Sequence, residues 1–307
     1  MPHPTAIALA QKYPDCGITE AQFDKVFQVL AAENRTNSIS FELVDERITG
    51  AVQAFEPEGL TPSLWLKAAL KDKCLFYYSY RKSVENIDGV VEALKILGLT
   101  RKEYLWAALK RPILFFSLPK TIVRKFKGGA KVFKPMGLTR KEYLAAALIL
   151  PALFYSLPET IKEHSAILAA MRASGLVFFG KKNSDREFLN GVMHSPKYLT
   201  RSYDNYLLRA AYVAEFPERR QSVLTRTKQE IIAALIGKDP VAYSEAAPDK
   251  KSNGPQRSVA TILGGITRIS SKLEGVLGCY AEIKRKEAQR VLYEQLTRQT
   301  AAAVAMN

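Results

Sequence analysis

The sequence predicts an all-α protein, an α-solenoid of about six two-helix repeats with a C-terminal helical extension, on three observations. The triplet Gly-Leu-Thr recurs at Gly59, Gly98 and Gly137, with starts 39 residues apart. Behind each triplet runs an apolar stripe of helical period, and a proline corner after the second and third stripes leads into a second apolar stripe. The second and third copies, GLTRKEYLWAALKRPILFFSLPKTI and GLTRKEYLAAALILPALFYSLPETI, are close to identical. A supersecondary unit of this length cannot bury its apolar face alone and has to stack on its neighbours.

Each part of the repeat has its own signal. Thr100 with Glu103, and Thr139 with Glu142, fit the S/T-x-x-E capping box. Leu99 and Leu138 before the cap are placed to staple onto Tyr104 and Tyr143. The glycine then closes the preceding helix. Leu105, Ala108, Leu109 and Pro112 fall at i, i+3, i+4 and i+7 and predict a first helix of about twelve residues. Pro112 and Pro151 end it, the Leu114-Phe115 and Leu153-Phe154 pairs plug the corner, and Ser156 to Glu159 reads as a second capped start. Gly89 and Gly128, at equivalent places in the second helix, predict a bend or a break into a short third piece.

Residues 1–58 read as a degenerate N-terminal repeat or cap, with Gly17, Ile18 and Thr19 in place of the triplet, and 59–244 as the helical repeat array. Looser copies follow, one from the capping box at 184–187 and one from Leu224 and Thr225 with Ile231, Ile232 and Leu235. Residues 245–257 (EAAPDKKSNGPQR) are a polar linker. Residues 258–307 are C-terminal helices, with 273–304 one long charged helix.

The repeat resembles that of the mitochondrial transcription termination factor (mTERF) family. The resemblance rests on Leu97, Gly98, Leu99, Thr100, Glu103, Leu105, Leu109, Pro112 and Leu114 and on their counterparts Gly137, Leu138, Thr139, Leu144, Pro151 and Leu153. It covers roughly 59–165 well and 17–243 loosely. It implies an all-helical, curved superhelix whose basic concave side tracks a nucleic-acid backbone. The near-verbatim second and third copies fit equally a bacterial repeat family that shares only the architecture.

Charge supplies the functional signal. The 307 residues carry a net +15, unevenly spread: residues 1–58 hold nine acids against four Lys and Arg, whereas 101–140 hold eleven Lys and Arg against the single acid Glu103. A soluble surface normally mixes signs. The candidate nucleic-acid-binding residues are therefore Arg101, Lys102, Lys110, Arg111, Arg124, Lys125, Lys127, Lys131, Lys134, Arg140 and Lys141, with Lys120 in the same run. Stacked repeats are expected to bring equivalent cations into one stripe that neutralises phosphates and releases counterions. Trp106, between Lys102 and Lys110, lies on the polar side of its helix. Its counterparts Lys67 and Ala145 differ while their neighbours are constant, so an indole there can stack on a base.

No catalytic residue, metal site or cofactor is expected. The three cysteines, Cys16, Cys74 and Cys279, have no zinc spacing and suit a reducing, cytoplasmic compartment. His164 sits on an apolar stripe, and His194 at a helix C-terminus. The segment 175–182 matches G-x-x-x-x-G-K but has Lys182 where a P-loop needs Ser or Thr, and bulky apolar residues where the cradle needs open backbone. The longest apolar stretch, 143–157, contains Pro151 and falls short of the roughly 20 residues a spanning helix requires. The expected function is non-enzymatic binding of nucleic acid, DNA or RNA, through the phosphate backbone. The alternatives are a protein–protein scaffold or effector-type adaptor using the solenoid groove, with the acidic N-terminus docking on a neighbour's basic stripe, and contact with an anionic membrane surface. The sequence does not fix an oligomeric state.

Overall fold

In the computed structural model of the chain, every regular element among the described residues is helical. The structure describes residues 2–33, 40–173, 190–193, 199, 203–216, 226–238 and 285. The predicted linker, the P-loop-like segment, His194, Cys279 and the C-terminal helices, Arg285 aside, lie outside these. The chain divides into two compact units between Pro158 and Glu159, within the stretch that the sequence reads as one array.

The first unit holds α1 (Pro4–Lys12), α2 (Glu20–Ala32), α3 (Phe41–Ala54), α4 (Pro62–Lys71), α5 (Tyr80–Leu94), α6 (Arg101–Lys110), the one-turn α7 (Ile113–Phe116), α8 (Pro119–Phe133) and α9 (Arg140–Ile149). The capping boxes form as read: the Thr100 and Thr139 backbone N–H groups donate to Glu103 and Glu142 at 2.9 and 2.8 Å, and Thr19 is closed the same way by Gln22. Ahead of each of these helices, and of α4, lies a short 3-10 turn and a left-handed glycine, Gly17, Gly59, Gly98 and Gly137, with φ between 67° and 89°. Only glycine takes that conformation without cost. The first helices α6 and α9 are ten residues long, two shorter than the stripe predicted, because the backbone leaves helical geometry at Arg111 and Leu150, ahead of the prolines.

Two rows of contacts order these helices. The first helices touch in sequence, α2 to α4, α4 to α6 and α6 to α9; the second helices do the same, α3 to α5 and α5 to α8. The corner pairs Leu75-Phe76, Leu114-Phe115 and Leu153-Phe154 are buried to 1% exposure or less. Each corner ring receives an aromatic from the preceding first helix. Trp65 stands edge-on to Phe115 at 5.1 Å, and 39 residues later Tyr104 stands edge-on to Phe154 at 5.2 Å. Burial holds the phenols of Tyr104 and Tyr143 well above the usual tyrosine range.

Two local readings are corrected. Ser156 does not cap its second helix; its hydroxyl donates back to the corner carbonyl of Ala152 at 2.8 Å, as that of Ser117 does to Ile113. Instead Pro119 opens α8 at a position where its missing N–H costs nothing. Gly89 and Gly128 do not break their helices either, since α5 and α8 run on through them. They form notches. A Cβ at Gly50 would meet the Tyr80 ring at 2.6 Å and one at Gly89 would meet Pro119 at 2.7 Å, while Gly128 faces Pro158 in the same manner. The residue opening each second helix therefore lies in a notch on the helix before it, at every 39-residue step from Gly50 to Gly128.

Gly129 serves a different contact, since a Cβ there would strike the Tyr143 hydroxyl and come within 2.9 Å of its Cζ. Tyr143 is fully buried, with Phe126 at 5.3 Å and Phe133 at 6.2 Å, so its ring has nowhere to retreat. Gly129→Ala is expected to lose about 1–3 kcal/mol to overpacking despite the gain in helix propensity. Adding Tyr143→Phe should recover part of that loss in denaturant midpoints, and strict additivity of the two changes would refute the contact.

In the second unit, α10 (Pro158–Ala173) carries the buried His164, whose Nδ1 lies 2.6 Å from the Thr160 carbonyl, as a structural histidine would. Two further helices, Tyr203–Glu215 and Lys228–Lys238, are described there. The latter is capped by Thr227 with Glu230, two residues after the start read from Thr225.

Candidate nucleic-acid interface

Helix α8 presents two opposite faces. Ile122, Phe126, Gly129, Ala130 and Phe133 are buried. Lys120, Arg124, Lys127 and Lys131 follow one another at spacings of four, three and four, with Lys134 three further on in the closing turn, and all five are exposed. At 100° per residue this spacing keeps them within about one quarter of the helix circumference. The helix contains no acid. Among the described residues none of the five has a carboxylate partner.

On the second helices, equivalent cations from neighbouring repeats do not stack. One repeat earlier, the places of these five residues on α5 and its closing turn are held by Arg81, Glu85, Asp88, Glu92 and Lys95. Two repeats earlier, on α3 and its turn, they are held by Glu42, Glu46, Thr49, Gln53 and Glu56. These ten are exposed as well. The basic stripe belongs to one helix and runs along it, with acidic faces at the same place in the two preceding repeats.

The remaining candidates are placed as follows. Arg101 is withdrawn from any ligand. Its Nε lies 2.7 Å from Asp88 and its Nη1 lies 3.1 Å from Glu58 and 3.0 Å from the Ala54 carbonyl, with the guanidinium 4.6 Å over the Phe55 ring. Burial acts against its charge, and the bonds to Asp88 and Glu58 outweigh it, raising its affinity for the proton. Lys125 is half-buried to the side of the stripe. Its counterparts Arg47 and Asn86 donate to the corner carbonyls of Phe76 and Phe115 at 2.5 and 2.9 Å, which makes this place a joint in the two preceding repeats. Lys120 takes its place in the stripe, and the spacing from Lys120 was the signal that could have found it.

Lys102, Trp106 and Lys110 share the outward side of α6 and are exposed, Trp106 by 37%. Lys67 and Ala145, its counterparts, are exposed too. Arg111 closes α6, while Arg140 and Lys141 open α9; all three are exposed. The structure thus separates the candidates into the α8 stripe, the α6 side around Trp106, the start of α9, the paired Arg101, and Lys125 to the side of the stripe.

Arg101→Ala is expected to cost about 1 kcal/mol of stability, allowing for partial screening of its pairs, and to leave oligonucleotide affinity unchanged. A drop in affinity at full stability would return Arg101 to the interface.

Among the described residues there is no group of three or more metal-ligating side chains, and no helix long and apolar enough to cross a membrane. Compared with known protein families, curated proteins and solved structures, the chain returns no match in any of the three.

Proposed function

We propose that this protein is a non-enzymatic nucleic-acid-binding α-solenoid that holds the phosphate backbone of DNA or RNA along the exposed face of α8. The observation that carries this reading is the stripe of Lys120, Arg124, Lys127, Lys131 and Lys134, aligned on one helix and unneutralised. Successive positions four and three apart advance about 5 Å along a helix axis, a spacing comparable with that of phosphates along one strand. The two rows of helix contacts and the glycine notches support a solenoid, and the resemblance to the mTERF repeat points to the same ligand class. Trp106, exposed beside Lys102 and Lys110, is the residue we assign to stacking on a base.

The deciding measurement is a titration of the purified protein with labelled single- and double-stranded oligonucleotides at 50 and 200 mM salt. Affinity that falls steeply with salt supports the proposal. Absence of binding at 50 mM salt refutes it.

A second reading has its own observation. The exposed acids Glu42, Glu46 and Glu56 on α3 and its turn occupy the place that the basic stripe occupies on α8. A second copy could therefore seat its acidic face on the stripe in head-to-tail fashion, which makes the protein an assembly scaffold. Light scattering across a hundredfold range of concentration separates the two: a monomer throughout excludes the scaffold.

A further inference from the structure

The junction of α8 with α9 has the same backbone as the junction of α5 with α6, but different charges. Gly137 and Gly98 have φ of 84° and 89°, and the same capping box follows each. At the later junction Lys127, Lys131, Lys134 and Arg140 line a cleft of about 750 Å³, together with Gly128, Ala130, Gly137, Leu138 and Thr139. Their counterparts 39 residues earlier are Asp88, Glu92, Lys95 and Arg101. Those four neutralise one another: Arg101 reaches Asp88 at 2.7 Å, and Lys95 reaches Glu92 at 3.6 Å. One repeat earlier still, the places hold Thr49, Gln53, Glu56 and Pro62.

Arg140 shows the difference most sharply. It stands in the first turn of α9, where the helix dipole disfavours a cation. Arg101, at the same point of α6, is compensated by Glu58, Asp88 and the ring of Phe55. The residues at those three places around Arg140 are Leu97, Lys127 and Leu94. Every compensating group has gone, one of them has become a cation, and two further lysines line the same cleft. Like charges gathered around a concave space repel unless an anion joins them.

We infer that the cleft between α8 and α9 is a seat for one phosphate group, whose oxygens occupy the place that the carboxylates of Asp88 and Glu92 fill in the preceding repeat. Arg140 offers a planar fork to two oxygens, and the three lysines supply point charges around them. The backbone N–H of Thr139 is already bonded to Glu142, so the seat is made by side chains. The inference deepens the nucleic-acid reading and rests on it only for the source of the phosphate: within a bound strand the seat fixes one phosphate at the Lys134 end of the stripe, whereas a free phosphate compound fills the same space.

The test uses the full chain, inorganic pyrophosphate at constant ionic strength, and three variants. Arg140→Gln alters the seat but not the stripe. Lys120→Glu with Arg124→Glu alters the stripe but not the seat. Lys127→Asp recreates the Asp88–Arg101 pair at the later junction. Pyrophosphate is expected to raise the melting temperature of the wild type and of the stripe variant by roughly 2 °C or more, and to leave Arg140→Gln unmoved. Lys127→Asp should melt higher than wild type without ligand and gain nothing from it.

A wild-type melting point indifferent to pyrophosphate, or an Arg140→Gln protein that responds like wild type, overturns the seat. Oligonucleotide binding is scored separately. A pyrophosphate shift without oligonucleotide binding keeps the seat and discards the nucleic-acid reading. Oligonucleotide binding lost in the stripe variant, with no pyrophosphate shift in the wild type, keeps that reading and discards the seat.

Discussion

Reversing Arg124, Lys127 and Lys131 to glutamate together should abolish oligonucleotide binding at physiological salt. Five neutralised phosphates give a salt slope of about −4.5, so wild-type affinity should fall about 500-fold between 50 and 200 mM salt. Each cation removed should lower that slope by about one. Three reversals leave Lys120 and Lys134 at the ends of the stripe, separated by three negative charges, and the slope should drop to about −2 or less. The stripe faces away from the core, so the variant should unfold at no lower a denaturant concentration than the wild type. The same exchange at Lys125 serves as the contrast: half-buried to the side of the stripe, it should affect stability more than salt slope. Should the triple variant bind with wild-type affinity and slope, the phosphate-tracking face is not on α8.

Phe126→Ala should cost about 3–5 kcal/mol and be the most damaging single truncation near the site. Phe126 has no exposed surface and projects from α8 opposite the cations. Its ring lies 5.3 Å from that of Tyr143 on α9 and 5.8 Å from Phe154 in the following corner, the latter nearly parallel at 25°. It therefore joins α8, α9 and the Pro151–Phe154 turn at once, and a methyl group in its place leaves a cavity that the two flanking rings cannot close. The same place in α3 and α5 holds Ile48 and Ile87, both buried. Phe126→Ile is accordingly expected to cost about 1.5 kcal/mol or less. Urea denaturation of both variants checks the pair, and equal losses would mean that apolar bulk at this place contributes nothing without the ring.

Binding follows stability in this design. A partly unfolded Phe126→Ala protein releases α8 from α9 and loses the cleft, whereas Phe126→Ile keeps both surfaces. Measuring oligonucleotide affinity for the two variants well below their melting temperatures separates loss of fold from loss of contact.

The capping boxes and left-handed glycines were legible in the chain because each depends on contacts within a few residues, and the repeat and its corner pairs were legible because their residues recur 39 positions on. Thr100 bonds to Glu103, three positions away, and Gly98 needs its conformation whatever lies beyond it. The basic character of 101–140 was equally plain from composition. What the chain alone did not decide was which cations are free. Arg101 and Arg140 begin the same tetrapeptide, Arg-Lys-Glu-Tyr, yet one is held by Glu58 and Asp88, 43 and 13 residues away, and the other stands beside lysines. Lys125 and Lys127 are two apart in sequence but lie on different sides of α8. A charge is available or neutralised according to what folding places across from it, and that depends on the packing of one repeat against the next.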